Sequence, residues 1–417
     1  MTRHSQRWLA GFSAAYLFLL ATNHGTFFRS IAFGGTVLFA ALTLAGSLRE
    51  SHRQPELRLP LPPMPVMLTV AAWFGWSALS YFWSVKPRYT GMQLSREIGE
   101  NLLVIGAFYI ATCDIAAFRR YLAVVLASFV VMATLALAMA TTAAGWDPMQ
   151  KHNGVGPYST YVVLTAPLLL VLLAPAPIGL VRRNAALALG ALLLFLLLAT
   201  ARLTDNRMVW IALAAVFLTA AIASAVRWPM TFKRSPWRWL APVAALLVVF
   251  AFAFTQVAKE RAVTDFPPHT SVGATLKADP RFRLWNQLTE RIGDRVWQGY
   301  GFGRHIQAEE IASDLADLQL THAHNLFASQ WLQTGAVGLA LFVAMLGTIM
   351  MTFVRYLWNR NDMLAFLGVF GVSLLTGFVV KNLTDDFLFR SNAKELWAML
   401  AIVVGLGTRI SSRAPES

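Results

Sequence analysis

Residues 362–380 read DMLAFLGVFGVSLLTGFVV and hold one charged side chain, Asp362, at their start. A helix needs about 20 consecutive apolar residues to cross the hydrocarbon core of a bilayer, so this stretch has the length and composition of a transmembrane helix. Eleven further apolar stretches lie at 8–22, 28–48, 64–84, 98–113, 120–143, 157–176, 185–200, 208–226, 239–257, 325–354 and 395–410. The sequence therefore predicts an all-α integral membrane protein with about twelve transmembrane helices.

The composition agrees with this prediction. Hydrophobic residues make up 57% of the 417 residues and charged residues only 13%, whereas soluble proteins carry about 25% charged residues. Cys113 is the only cysteine, which excludes an intramolecular disulfide framework and a cysteine-rich metal site. The first apolar stretch follows Arg3 and Arg7 without a convincing cleavage site, so we expect a retained helix rather than a removed signal peptide.

The basic residues indicate both an orientation and a ligand. With the N-terminus inside, the inside segments hold more Lys and Arg than the short outside segments, as cytoplasmic loops do. Both termini are then cytoplasmic, and in a bacterium the outer face is periplasmic. Yet basic residues also cluster on the outer face, at 86–96, 202–207 and 381–394. In a chain with net charge +14, these clusters favour an anionic ligand, not nucleic acid. The alternative is pairing with lipid head groups or with carboxylates such as Asp205, Asp279, Asp294 and Asp385.

One long polar segment divides the chain. We expect residues 1–257 to form helices 1–9, residues 258–321 to form an outer loop, and residues 322–417 to form helices 10–12. Within the loop, the spacing of Leu284, Leu288 and Ile292 predicts a helix over 283–295, which Asp279-Pro280 would start. A second amphipathic helix is expected over 308–320. Between them, Gly299, Gly301 and Gly303 form a turn that would let the backbone approach a ligand closely.

Two histidines, His322 and His324, lie where the tenth apolar stretch begins, in the sequence THAHN. Residues at i and i+2 do not share a helix face, so a metal pair on this helix is not expected. A neutral imidazole is a suitable general base near neutral pH. A structural histidine is the alternative.

Three elements between about 200 and 340 resemble the bacterial O-antigen ligase and polymerase family. They are His324-Asn325 followed by Gly335 and Gly338 (HNLFASQWLQTGAVG), the stretch 281–303 (RFRLWNQLTERIGDRVWQGYGFG), and ARLTDNR, whose last residue Arg207 starts an apolar stretch. Their order and spacing are similar to the ligase branch, which joins O-antigen to lipid A–core.

The resemblance implies a polytopic glycosyltransferase of the GT-C type in the bacterial inner membrane, with its active site on the periplasmic side. The donor would be an undecaprenyl-diphosphate-linked glycan and the acceptor a hydroxyl of lipid A–core. Transfer would invert the anomeric carbon without a metal or another cofactor. The implied roles are a general base for His324 and diphosphate binding for Arg207 and for Arg281 or Arg283. Further candidate substrate contacts are His322, Asn325, Lys86, Arg88, Asp385 and Lys381.

Other functions remain open from the sequence. A polymerase or a protein O-glycosyltransferase would use the same lipid-linked donor with a different acceptor. A transporter of lipid-linked glycan is a function of another class. Transporters place charged residues near the membrane midplane, whereas the charges here gather at the outer face, which favours an enzyme.

Overall fold

The computed structural model describes residues 2–22, 25–53, 59–140, 154–173, 183–229, 236–264, 279–315 and 320–413. These residues form helices and no strands. The α-helices, in chain order, are α1 Thr2–Leu20, α2 Thr26–Arg53, α3 Met64–Leu79, α4 Pro87–Gln93, α5 Glu100–Ala111, α6 Ile115–Ala140, α7 Val155–Thr165, α8 Leu168–Leu173, α9 Arg183–Leu203, α10 Arg207–Arg227, α11 Pro236–Thr264, α12 Arg281–Asp294, α13 Ala308–Asp314, α14 Leu326–Leu357, α15 Asp362–Lys381 and α16 Arg390–Arg413. A 3₁₀ turn, Ser80–Trp83, follows α3, and a π turn, Leu94–Gly99, precedes α5.

Eight of the described helices are long and apolar enough to cross a membrane. They are Thr26–Glu50, Met64–Trp83, Ile115–Ala140, Arg207–Arg227, Ala241–Glu260, Leu326–Leu357, Asp362–Lys381 and Arg390–Arg413. This confirms a multi-pass, all-helical membrane protein. The predicted number of twelve is not confirmed, because the apolar stretch 157–176 is divided between α7 and α8 next to Pro167, a residue that interrupts helices, and α5 has only 12 residues.

The polar loop contains the two helices that the sequence predicts. The first, α12, begins at Arg281 directly after Asp279-Pro280. The second, α13, begins at Ala308 as predicted but ends at Asp314. Residues 265–278 and 316–319 of the loop lie outside the described part of the chain. The division into 1–257, 258–321 and 322–417 stays a prediction, although α11 continues past residue 257 to Thr264.

Buried apolar side chains join the loop to the helix bundle. Leu284 and Leu288 of α12 and Ile311 of α13 are almost fully buried, and they pack in one cluster with Leu332 of α14. Two larger clusters fill the bundle, one around α1, α5, α14, α15 and α16 and the other around α6, α7, α9 and α10. The loop is therefore packed onto the helices rather than extended over the membrane surface.

The glycine turn of the loop inserts into a break in α14. The break lies at Gly335, whose φ of 71° and ψ of −176° are not helical. There Tyr300 N donates to Leu332 O at 2.9 Å, Gly301 N donates to Gln333 O at 2.9 Å, and Ala336 N donates to Val296 O at 2.7 Å. The sequence led us to expect that this turn approaches a ligand closely. In the structure, the turn approaches α14 closely.

Replacing Gly335 with alanine should therefore destabilise the protein. Its φ and ψ lie in a region that is essentially restricted to glycine, and an added Cβ would lie 2.1 Å from Trp297 O. We expect Gly335→Ala to lower the free energy of unfolding by at least about 2 kcal/mol, measured by thermal unfolding in detergent. Gly347→Ala, in the same helix with open space around its Cβ, is the matched control and should unfold within a few degrees of wild type. Equal stability of the two variants would contradict the strain at Gly335.

Candidate active site

The polar side chains of the bundle gather at one end, which we call the site end. There α9, α11 and α15 finish and α10, α14 and α16 begin. Arg207 is the first residue of α10, and Asn206 caps this helix by accepting a hydrogen bond from Met208 N at 2.9 Å. Asp205, just before the cap, has a positive φ of 46°. The helix start therefore fixes the position at which the Arg207 side chain leaves the backbone.

Asp279 brings Arg207 and Arg281 together. Its Oδ2 atom lies 2.8 Å from Arg207 Nη2 and 3.4 Å from Arg281 Nη1. Its Oδ1 atom accepts a hydrogen bond from Arg281 N at 3.0 Å, at the start of α12. Two guanidinium groups from distant parts of the chain thus point at one oxygen atom.

Asp385 connects these arginines to His324. It is buried in the turn after α15, where it pairs with the fully buried Lys381. Its Oδ1 atom lies 3.9 Å from Arg281 Nη2 and 3.6 Å from His324 Nδ1. Burial would raise the pKa of the Asp385 carboxyl, but Lys381, His324 and Arg281 together hold that pKa well below its usual range. Asp385 is therefore an anion that faces one lysine, one arginine and one histidine.

The start of α14 fixes the backbone of His324. Asn325 caps the helix by accepting from Phe327 N and Ala328 N, and its Nδ2 atom donates to Leu383 O at 2.9 Å. Leu326 N also donates to Asn382 O at 2.9 Å. His324 itself has a positive φ of 47°, which is uncommon outside glycine and often occurs at functional sites. These contacts hold His324 beside the turn that carries Asp385.

His322 lies against His324 and contacts a second ion pair. The two rings stack with their centroids 3.8 Å apart. His322 Nε2 lies 2.6 Å from Arg304 Nη2, and Arg304 Nε lies 2.5 Å from Asp386 Oδ1. Because a guanidinium has only donors, Nε2 of His322 must accept. Burial and the neighbouring Arg304 lower the pKa of His322 well below its usual range, so this ring is neutral. Burial raises the pKa of the Asp386 carboxyl, and Arg304 opposes that rise.

A cavity of about 380 Å³ opens beside the two arginines. Its polar lining consists of Asn206, Arg207, Asp279, Arg281 and Thr384, and its apolar lining of Met208, Ile211, Phe254, Phe282 and Trp285. The cavity therefore offers cationic groups at one part of its wall and aliphatic and aromatic surface at another. This combination suits a ligand with an anionic head and an apolar tail.

Residues 191–343, from α9 into α14, match the family model described as O-antigen ligase. This part of the chain is similar to the O-antigen ligase family. The matched region contains Arg207, Arg281 and His324, and it ends before Lys381 and Asp385. A comparison with curated proteins found no match. The match indicates a glycosyltransferase-like enzyme of the O-antigen ligase and polymerase kind, a family whose substrates are in general lipid-linked glycans and lipid acceptors.

The structure groups most of the residues that the sequence singled out as candidate site residues. Arg207, Arg281, His324, Lys381 and Asp385 share one network of ion pairs, and His322 stacks on it. Asn325 lies beside this network. It caps α14 and links that helix to the turn after α15.

Three other predicted site residues lie elsewhere. Lys86 Nζ contacts Glu309 Oε2 at 3.1 Å and Glu310 Oε1 at 3.4 Å, both on α13. Arg88 is exposed, one residue into α4. Arg283 is exposed, whereas Arg281, two residues earlier, lines the cavity.

Sequence reasoning treated some members of this candidate site only as possible partners or overlooked them. Asp279 appeared only as a general partner for basic residues, but it holds two arginines together. Arg304 and the neighbouring His305, whose ring lies 5.5 Å from that of His322, were not singled out. The dipeptide Arg304-His305 directly after Gly303 was the available signal.

Proposed function

We propose that this protein is an O-antigen ligase of the GT-C type in the bacterial inner membrane. It transfers a glycan from undecaprenyl diphosphate to a sugar hydroxyl of lipid A–core, on the periplasmic side, with inversion and without a metal. The observation that carries the proposal is the convergence of Arg207 and Arg281 on one oxygen atom at the rim of an amphipathic cavity, with His324 linked to the same network through Asp385.

The cavity has a surface suited to each of the two parts of the donor, its diphosphate and its isoprenoid tail. A diphosphate oxygen that replaces Asp279 Oδ2 would receive hydrogen bonds from both guanidinium groups, and arginine binds phosphate well through its planar fork of donors. The isoprenoid tail would lie along Ile211 and Phe254, which line the same cavity. The head and the tail of the donor therefore each have a matching surface.

The reaction is a single displacement. With His324 Nδ1 facing Asp385, Nε2 is the ring nitrogen that accepts the proton of the acceptor hydroxyl. The acceptor oxygen forms a bond to the anomeric carbon, while the bond from that carbon to the phosphate oxygen breaks and undecaprenyl diphosphate leaves. Because one displacement occurs, the configuration inverts.

Two electrostatic contributions lower the barrier. Arg207 and Arg281 stabilise the negative charge that develops on the leaving phosphate, as preorganised donors do in other enzymes. The Asp385 carboxylate orients His324 and stabilises its protonated form, which is the role of the aspartate in an Asp–His pair. Asp385 thus acts as a positioning residue.

The decisive experiment is transfer by the purified protein. We expect wild-type protein to join an undecaprenyl-diphosphate glycan to lipid A–core in the presence of EDTA, and His324→Ala to lose about 10²–10⁴-fold in rate, measured by gel shift of the acceptor. Transfer to a second lipid-linked glycan or to a protein, but not to lipid A–core, would establish a polymerase or a protein O-glycosyltransferase. Movement of the donor across vesicles without transfer would establish a transporter. Full activity in His324→Ala would exclude its role as the base.

Arg281 and Arg283 give a paired test of the diphosphate site. Arg281 lines the cavity and Arg283 is exposed on α12, so we expect Arg281→Gln to lose about 10²-fold or more in kcat and Arg283→Gln to stay within about threefold of wild type. The measurement is steady-state transfer with varied donor. The reverse order of effects would assign the phosphate contact to Arg283.

Asn325 and Asn361 separate helix capping from the positioning of His324. Both side chains cap a long helix by accepting from two backbone N–H groups, so replacing either with alanine should cost about 1 kcal/mol of stability. Only Asn325 also donates to Leu383 O, next to the turn that carries Asp385. We expect Asn325→Ala to reduce kcat about tenfold or more beyond Asn361→Ala, at a similar unfolding temperature. Equal kcat values in the two variants would limit Asn325 to a capping role.

A further inference from the structure

A second cavity, of about 510 Å³, lies at the site end between α1, α2, the π turn and α16. It is separate from the cavity of Arg207 and Arg281, and the mechanism above does not use it. Six charged side chains line it, the basic Arg29, Arg96, Arg390 and Lys394 and the acidic Glu97 and Glu100. Four positive charges against two negative ones leave the lining with an excess of positive charge.

Contacts within the lining already engage the two carboxylates. Glu100 Oε2 lies 3.0 Å from Lys394 Nζ. Both oxygens of Glu97 accept from the backbone N of Arg390, at 3.2 and 3.1 Å. Glu100 thus holds the Lys394 side chain, and Glu97 holds the backbone from which the Arg390 side chain leaves. This arrangement suits an anion with several oxygen atoms, such as a phosphate.

The backbone at Arg390 is held in an uncommon conformation. Its φ is 50°, and the other two non-glycine residues with positive φ in the described part of the chain are Asp205 and His324. Those two lie beside Arg207 and at the proposed base. Such conformations cost about 1–3 kcal/mol and cluster at functional sites, so the second cavity shares this property with the active site.

The surroundings of the cavity indicate a lipid rather than a free anion. Tyr16, Leu20 and Phe33 line its apolar part. Beside it, at the start of α2, Phe27, Phe28 and Ile31 are 69%, 65% and 50% exposed. Exposed phenylalanine and isoleucine side chains on a membrane-spanning helix are favourable in contact with lipid. An anion bound here therefore has apolar surface on which acyl chains can lie.

Direct contacts connect this cavity to His324. Arg390 follows Phe389, and the guanidinium of Arg304 lies over the Phe389 ring, 5.4 Å from its centroid. Arg304 contacts His322, which stacks on His324. His324 faces the Asp385 carboxylate. Arg281, which lines the first cavity, contacts the same carboxylate. A series of direct contacts thus runs from the second cavity through His324 to the first.

We propose that the second cavity binds a phosphate group on the acceptor glycolipid, and so presents the acceptor hydroxyl to His324 from the side opposite the donor. This inference rests on the proposed function, because it assigns the acceptor to that reaction. An inverting displacement requires the acceptor oxygen and the leaving phosphate to lie on opposite sides of the anomeric carbon. Two separate cationic cavities, each connected to His324 by direct contacts, would let donor and acceptor reach the reaction from two directions.

The kinetic test combines variants with two forms of the acceptor. Arg29→Gln and Lys394→Gln each remove one positive charge from the cavity, and Lys259→Gln removes an exposed lysine near the end of α11 that lines neither cavity. With the phosphorylated acceptor, we expect the two cavity variants to raise the acceptor KM about tenfold, with the donor KM within twofold of wild type, and Lys259→Gln to change neither. Removing the phosphate from the acceptor should raise its KM in wild type and abolish the difference between wild type and the cavity variants. Equal effects of the variants on both acceptor forms would overturn the proposal.

A binding measurement keeps the inference separate from the proposed function. Wild type and the two cavity variants, checked for equal unfolding temperature, are titrated in detergent with phosphatidic acid, phosphatidylcholine and inorganic phosphate. We expect wild type to bind phosphatidic acid at least tenfold more tightly than the other two probes, and the cavity variants to lose this preference. An absence of transfer in wild type together with this preference would overturn the proposed function and leave a phospholipid site. Equal binding of inorganic phosphate, or lost binding without any change in acceptor KM, would overturn the inference.

Discussion

The Asp385 carboxylate is the charge on which the arrangement of the active site depends. It is buried at the end of α15 and faces Lys381 of that helix, Arg281 of α12 and His324 at the mouth of α14. Three separate parts of the chain therefore meet at one anion. Removing one partner of a buried ion pair typically costs about 3–5 kcal/mol because the other charge is left uncompensated. The same anion thus joins the loop to the bundle and orients the proposed base.

The glycine turn and the break in α14 supply the rigidity that this arrangement needs. The turn around Gly301 forms backbone hydrogen bonds with α14 where Gly335 interrupts the helix, and Arg304 follows the turn directly. His322 and His324 directly precede α14. The backbone hydrogen bonds between the turn and α14 therefore fix both Arg304 and His322, which contact each other. A reaction centre built on loop residues is thereby held with the rigidity of a long helix.

The apolar runs predicted most helices because the bilayer requires long uninterrupted apolar segments, and this requirement is local in sequence. The resemblance to the family identified Arg207, Arg281 and His324 as candidates because each lies in a short sequence element, and such elements are also local in sequence. The positions of Arg281 on the cavity and of Lys86 against α13 could not be read from the sequence. They depend on which face of α12 meets the bundle and on α13 lying against the start of α4. The role of Asp279 also depends on a contact with Arg207 across 72 positions. The glycines were correctly expected to permit a close approach, but their partner was α14, which no local pattern specifies.

The ion pairs at the site end explain how a strongly cationic face can exist before substrate binds. Arg207 and Arg281 would repel each other without Asp279, and Lys394 is likewise paired with Glu100. A carboxylate that holds two cations in place is also a competitor for them, so binding of a phosphate becomes an exchange of one anion for another rather than the filling of an unpaired site. Such an exchange moderates affinity while keeping the guanidinium groups aligned. In the proposed reaction, whose leaving group is itself a diphosphate, moderate affinity favours release of the product, whereas the alignment is retained for the next donor.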